Sequence, residues 1–238
     1  MTDHIVTSFS EELEQLSTNV SKMGGLAEAQ LQSAIDAITR RDMALADRTV
    51  SQDQQLDDLE ILIEENAVEL IALRQPMALD LREAMTAIKI AADLERIGDL
   101  AKNISKRSLV IFEDYETPNR LVQGLSRMGK LALGQLKLVL DAYTNRDVEM
   151  ANKVWLSDEE IDEMYNSVFR ELLTYMMEDP RTIGMCTHLL FVAKNIERIG
   201  DHATNIAETV SYLVTGDRVE GERPKGDKTS TTSVSTGT

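Results

Sequence analysis

One cysteine and four prolines in 238 residues are too few to staple or punctuate a small β-rich fold. Cys186 on its own cannot form an internal disulfide, and its place in an apolar helical run marks a buried thiol rather than a reactive one. Twelve glycines, mostly at the edges of long periodic segments, leave too few turn signals for a β-sandwich or an α/β alternation, so an all-α fold is expected. No stretch approaches the ~18 apolar residues of a membrane span, and the opening MTDHIVTSFSEELEQL has neither the basic nor the apolar region of a secretory signal. The expected location is therefore cytoplasmic. Basic residues are also scarce, 25 against 41 acids, for a formal charge of −16. Such a surface repels phosphate backbones and anionic leaflets, which predicts no nucleic-acid partner and membrane contact only through other proteins. A cation or a basic protein surface is the matching partner.

What the chain has in abundance is itself. LERIGDLAKNI (94–104) returns as IERIGDHATNI (196–206), 102 positions later. At an offset of 105, SKMGGLA (21–27) lies on SRMGKLA (126–132), Arg41-Asp42 on Arg146-Asp147, Asp53 on Asp158 and Asp57 on Asp162. Each copy reads as three amphipathic helices, at about 7–41, 43–73 and 78–112 and again at about 119–146, 148–177 and 182–214, with proline stopping the second helix each time. Two tandem, internally repeated three-helix bundles follow, residues 1–114 and 115–215, with EDYETPN (113–119) as the junction. Residues 216–238 are almost devoid of apolar side chains and read as a disordered polar tail.

Residues four apart on a helix lie about 40° apart. Glu95 and Asp99 therefore share a face, as do Glu197 and Asp201, each pair opposite the apolar stripe of its helix and so expected at the surface. The second helices add Asp53 with Asp57 and Asp158 with Asp162. Chance alone places about as many acid-to-aspartate pairs at this spacing among 41 acids; the register is what stands out, one pair on the second and one on the third helix of each half. Like charges so placed repel by roughly 0.2–0.5 kcal/mol unless neutralised. If neighbouring helices bring the two pairs of one half together, their oxygens suit a hard cation: magnesium, manganese or iron, with zinc feasible and Cu(I) disfavoured. A lysine or arginine engaging them one by one would remove the site.

Gly98 and Gly200 interrupt helices at a cost of about 1 kcal/mol each, so a neighbouring helix or a metal-bound group is expected close by. Arg96 and Arg198 flank the stripe and are expected to brace it. A carboxylate-metal enzyme, a phosphohydrolase or oxidase, is the alternative reading. Against it, the residue three after each Glu is glycine rather than the histidine of di-iron bundles. His202 has Leu100 as its counterpart and lies outside the repeat, His188 reads as a satisfied core histidine, and His4 is in the N-terminal fringe. No nucleophile-base arrangement or phosphate loop is present, so no catalytic residues are expected. A third reading is a bundle with no metal at all.

Together with RQPMALDLR (74–82) and YMMEDPRTI (175–183), the two motifs resemble those of the PhoU family over nearly the whole chain to about residue 215. The resemblance implies two similar three-helix bundles and multivalent metal bound at an acid-xxx-Asp signature, here Asp53/Asp57, Glu95/Asp99, Asp158/Asp162 and Glu197/Asp201. It further implies a cytoplasmic negative regulator of the phosphate-starvation response. Such a regulator links PstB, the nucleotide-binding subunit of the phosphate ABC transporter, to the PAS region of the sensor kinase PhoR, and is often a homodimer.

Overall fold

The structure is a computed structural model that describes residues 2–219, with the side chains of 10–157 and 159–219. The chain runs through α1 (Thr2–Arg40), α2 (Met43–Gln52), α3 (Gln54–Arg74), α4 (Leu79–Asp114), α5 (Asn119–Asn145), α6 (Val148–Leu156), α7 (Asp158–Glu178), a 3₁₀ turn (Pro180–Thr182) and α8 (Ile183–Thr215). The expected all-α fold holds: no strand occurs among the described residues. Among the described residues no helix is long and apolar enough to cross a membrane. The tail from residue 220 onward lies outside the described residues. Gly216, with φ +83, ends α8 in the left-handed conformation that glycine adopts without cost.

Local chemistry sets the end of the first helix and the start of the next alike in the two halves. Arg41 and Arg146 both take φ 54, and the next N–H, of Asp42 or Asp147, returns to the carbonyl of Ala37 or Ala142 at 3.0 and 2.9 Å. The same aspartates then cap the following helix, accepting from Leu45 N and Met150 N at 2.9 Å each. An arginine in this conformation costs roughly 1–2 kcal/mol. Arg41 offsets it by donating to the carbonyls of Phe112 and Tyr115, both at 2.7 Å, which ties α1 to the end of α4. Arg146 reaches Glu83 instead.

One expectation needs correction. The second helix of each half is not continuous: it breaks at Asp53 between α2 and α3, and at Ser157 between α6 and α7. Neither proline nor glycine marks the break. Asp53 keeps helical dihedrals (φ −56, ψ −36), but its carbonyl takes the N–H of Leu56, three residues on, at 2.8 Å, so the ladder tightens locally.

The apolar periodicity of α1 translates directly into burial, since Leu16, Val20, Met23, Ala27, Leu31, Ala34 and Ile38 are all in the core. That core does not stop at the junction; one contiguous cluster of buried side chains includes both halves. Its axis is an antiparallel pairing of α4 with α8. Arg82 donates to Tyr212 O at one end, Asp93 meets His202 in the middle, and Arg107 stacks 4.0 Å from the Phe191 ring centroid towards the other. Beside it α1 and α5 cross closely. A Cβ at Gly24 would sit 2.5 Å from Leu140 and one at Gly129 2.4 Å from Ile35, the same contact seen from each half.

Candidate functional site

Central helices α4 and α8 carry the repeated motif, and each is walled by the broken second arm of its own half. The acids fall in that wall. Asp53, Asp162 and Glu197 are buried, at 4, 6 and 5% exposure, and Glu95, Asp57, Asp99 and Asp201 are half-buried. The expectation of outward, surface carboxylates was wrong for this reason: the face opposite the apolar stripe is covered by a neighbouring helix, which a single-helix projection does not contain. The side chain of Asp158, at the start of α7, is outside the described ones.

In the first half the acids of the two helices do converge. Lys102 Nζ donates to Asp53 Oδ2 from α4 and to Asp99 Oδ1 at 2.7 Å, so one ammonium is shared by carboxylates of two helices. Gln30, from α1, donates to the other oxygen of Asp53 at 2.9 Å and, more distantly, to Gly98 O at 3.4 Å. Arg96 braces from outside, 3.4 Å from Glu95 and 3.6 Å from Asp99, as expected. Burial and the Asp53 charge push Asp57 upward, against Lys102. Burial would also raise Asp99, but the Lys102 ammonium outweighs it and holds that carboxyl below its ordinary range. On Glu95 burial, reinforced by the Asp99 charge, outweighs Arg96 and pushes it up to about 7. Burial disfavours the Lys102 ammonium, yet its bonds to Asp53 and Asp99 push its pKa up.

The second half repeats the scaffold with different charges. Lys194, whose counterpart is Ala92, donates to Glu197 Oε1 at 2.8 Å. Glu197 Oε2 is buried without a hydrogen-bond partner, and so is Oε1 of Gln135, the counterpart of Gln30. Gln135 donates to Ser157 O and Oγ at 2.9 and 3.2 Å, at the break in the second arm. Burial pushes Glu197 upward, Lys194 opposes, and Asp201 and Asp162 add to the rise. Where Lys102 stands in the first half, the second has Thr204.

Both motif glycines are explained by packing. A Cβ on Gly98 would meet Leu56 Cδ1 at 2.3 Å and Gln30 Oε1 at 3.4 Å; on Gly200 it would meet Ile161 Cδ1 at 2.8 Å and Gln135 Oε1 at 3.4 Å. The neighbouring helix, not a bound ligand, accounts for the missing side chain. Among the described residues no three His, Cys, Asp or Glu side chains close around a common metal position. His202, set aside by the repeat, bonds Asp93 Oδ1 through Nδ1 at 2.8 Å and so joins the halves, with Asn205 Nδ2 donating to the same oxygen at 3.2 Å. His188 is not the satisfied histidine expected: its Nδ1 is buried without a partner, beside the Tyr115 ring. Cys186 is fully buried, and burial raises its thiol.

Sequence reasoning missed Lys102, Lys194 and the two glutamines. Gln30 and Gln135 had a usable signal, since both fall at registered positions on an otherwise apolar helix face. Lys102 had none, because a lysine three residues after an aspartate is ordinary on any solvated helix.

The PhoU domain matches this chain twice, over residues 20–108 and 125–210. The chain is 57% identical over 227 residues to the phosphate-specific transport system accessory protein PhoU homolog of Caulobacter vibrioides, covering 95% of this chain and 98% of that one. It is 41% identical to the phosphate-specific transport system accessory protein PhoU of Escherichia coli K12, over 90% and 88% of the two chains. Among solved structures, PhoU from Pseudomonas aeruginosa superposes with a TM-score of 0.84 at 38% identity, covering 88% of this chain and all of that one. The phosphate transport system regulatory protein PhoU from Streptococcus pneumoniae superposes at 0.81 and 29%, covering 89% and 99%. The doubled fold, the acidic motif in each copy and these near full-length matches together make this chain a member of the PhoU family.

Proposed function

We propose that the protein is an accessory regulator of phosphate transport and a negative regulator of the phosphate-starvation response, acting in the cytoplasm as an adaptor rather than an enzyme. The observation that carries this reading is the match, over nearly the full length of both chains, to accessory proteins of the phosphate-specific transport system. Its partners in this reading are PstB and the PAS region of PhoR, with a homodimer as the assembly. An exposed apolar tip at Leu73, Met77 and Leu79, on an otherwise strongly acidic molecule, is the kind of surface a protein partner buries. Mixing the purified protein with PstB and with the cytoplasmic part of PhoR is expected to give stable complexes by co-elution. Failure to bind either one would overturn the adaptor reading.

Metal belongs to the same proposal. What supports it in the second half is a buried carboxylate oxygen of Glu197 and a buried amide oxygen of Gln135 that both lack partners, a state that costs roughly 1–3 kcal/mol per group; against it, Lys194 already holds the other Glu197 oxygen at 2.8 Å. Asp158, Asp162, Glu197 and Asp201 would hold the ion there, and Asp53, Asp57, Glu95 and Asp99 are the corresponding set in the first half. Iron, manganese, magnesium or zinc would supply positive charge to a crowded anionic seam and fix the second arm against the central helix. Metal content of protein purified without chelators, compared with a Glu197→Gln and Asp201→Asn variant, tests this. Equal content would leave a metal-free bundle as the reading.

A further inference from the structure

We infer that the solvent side of the α4–α8 pairing is a docking face for an acidic helical segment of another protein, held by cations along its length and by two exposed apolar side chains. This rests on the adaptor reading for the existence of a protein partner, and adds the surface and the chemistry that surface accepts.

Helical geometry assembles the face. At about 100° per residue, Arg82, Met85, Lys89, Asp93 and Arg107 fall within about 80° of one another on α4. On α8, Phe191, Arg198, His202 and Tyr212 share a sector of about the same width. The pairing sets the two sectors side by side: Arg82 and Lys89 lie over the Tyr212 ring, 5.8 and 5.9 Å from its centroid, and Arg107 lies 4.0 Å from that of Phe191, with the Asp93–His202 contact between them. Lys89 and Arg198 are exposed, and so are Met85 and Phe191, at 44 and 48%. From Arg82 to Arg107 the face runs about 37 Å along α4.

Its charge runs against that of the molecule. Acids outnumber bases 41 to 25 in the chain, yet Asp93 is the one acid in these two sectors between residues 82 and 107 and between 191 and 212. His202 and Asn205 already hold its Oδ1. Arg82, Lys89, Arg107 and Arg198 have no ion pair among the described residues, so Arg198 does not brace the second motif as expected. An aromatic ring attracts a cation without neutralising it. Burial pushes Arg107 down, and no carboxylate opposes the shift.

Charge complementarity selects the occupant. Two copies meeting by this face about a two-fold axis would set the cations against their own images, which disfavours a second copy. The side chains of residues 220–238 balance Glu220, Glu222 and Asp227 with Arg223, Lys225 and Lys228, which leaves that segment no net charge to offer. A partner helix with acids on one side and apolar residues to cover Met85 and Phe191 meets both demands. A recess of about 320 Å³ beside Lys89 and Tyr212 seats one of its side chains.

The test is fluorescence anisotropy of a labelled synthetic peptide of glutamate, alanine and leucine in a helical repeat, titrated with the full-length protein, against the same peptide with glutamine for glutamate. A net charge of −16 repels an acidic peptide everywhere else, so binding must come from a local basic face. The glutamate peptide is expected to bind, more weakly as salt rises, and the glutamine peptide not. Lys89→Glu with Arg198→Glu is expected to weaken binding by roughly tenfold. Lys22→Glu with Lys137→Glu, exposed lysines of α1 and α5 and an equal change in net charge, is expected to alter it by less than about twofold. Circular dichroism confirms the fold of each variant. No binding of the glutamate peptide, or equal losses in the two variants, overturns the inference. So does peptide binding that appears only after residues 220–238 are removed, which makes that segment the occupant, or a dimer broken by Lys89→Glu with Arg198→Glu in sedimentation, which makes it a second copy. If PstB and the cytoplasmic part of PhoR both fail to bind the unaltered protein, the adaptor reading fails by itself and the peptide still decides the face; if they bind and neither complex is weakened by Lys89→Glu with Arg198→Glu, the face is overturned and the adaptor reading stands.

Discussion

The two halves share the packing around their motifs and the motif acids themselves, and differ in where the compensating lysine stands. Asp42 and Asp147 cap the same helix, and Gly98 and Gly200 admit the same neighbour, Leu56 or Ile161. Gln30 and Gln135 lie beside the same glycine. Yet the compensating lysine sits three residues after Asp99 in one half and three before Glu197 in the other. A close-packed interior punishes any change of volume, while a partly solvated charge can be balanced from several directions. After duplication, the frame is held and the electrostatics are free to diverge.

The largest effects test whether the halves are separable at all. Leu94→Ala in α4 and its counterpart Ile196→Ala in α8 both empty fully buried positions and are expected to cost about 2–5 kcal/mol each. Because one core includes both, each variant is expected to melt in a single transition by calorimetry. Two resolved transitions would show that the halves fold independently.

A smaller change sharpens the contrast in charge. Asp53→Asn removes a buried partner of Lys102 and Gln30 and is expected to destabilise the metal-free protein by about 1–3 kcal/mol in urea. Glu197→Gln, which removes a buried charge with an unused oxygen, is expected to change metal-free stability by less than about 1 kcal/mol. Equal costs would mean that the second seam is as well satisfied as the first.

At the glycines, added bulk must overcome a propensity gain of about 1 kcal/mol. Gly98→Ala is expected to be net destabilising by about 1–2 kcal/mol, because Leu56 is buried and has little room to yield. Gly200→Ala, with its contact at 2.8 rather than 2.3 Å, is expected to cost less.

The smallest effect is in pH. Glu95 rises from 4.5 to about 7 on folding, so its folded form holds a proton that the unfolded chain releases. Its contribution is fully present below about pH 4.5 and lost as pH rises through about 7. Asp99, lowered, acts oppositely and only as pH falls below its ordinary 3.8. Urea titrations between pH 4.5 and 7 are expected to show a falling stability that Glu95→Gln flattens. An unchanged slope would place the titration elsewhere.

Much of this frame can be read without coordinates. The apolar spacing of α1, the Arg-Asp helix punctuation and the doubled motif all report local constraints, and each is visible within a few residues. Burial of Asp53 is different. It depends on which helix lies over which, and α3 covers α4 on a side that the projection of either helix alone assigns to solvent. Lys102 fails for the same reason, since its partner Asp53 is 49 residues away. The break at Ser157 also escapes, because what fills the gap is Gln135 from another helix.

The antiparallel pairing of α4 and α8 has one more consequence. Both motifs sit near the middle of long helices, far from the first and last turns where the peptide dipoles act, and the two opposed dipoles largely cancel along the shared axis. The central pair therefore contributes little field at either seam, and what the backbone supplies there comes from the N-terminal ends of α3 and α7, which start at Gln54 and Asp158. Both seams share that backbone background, so the difference between them is written by a handful of side chains, and exchanging one of these retunes a seam while the architecture around it stays as it is.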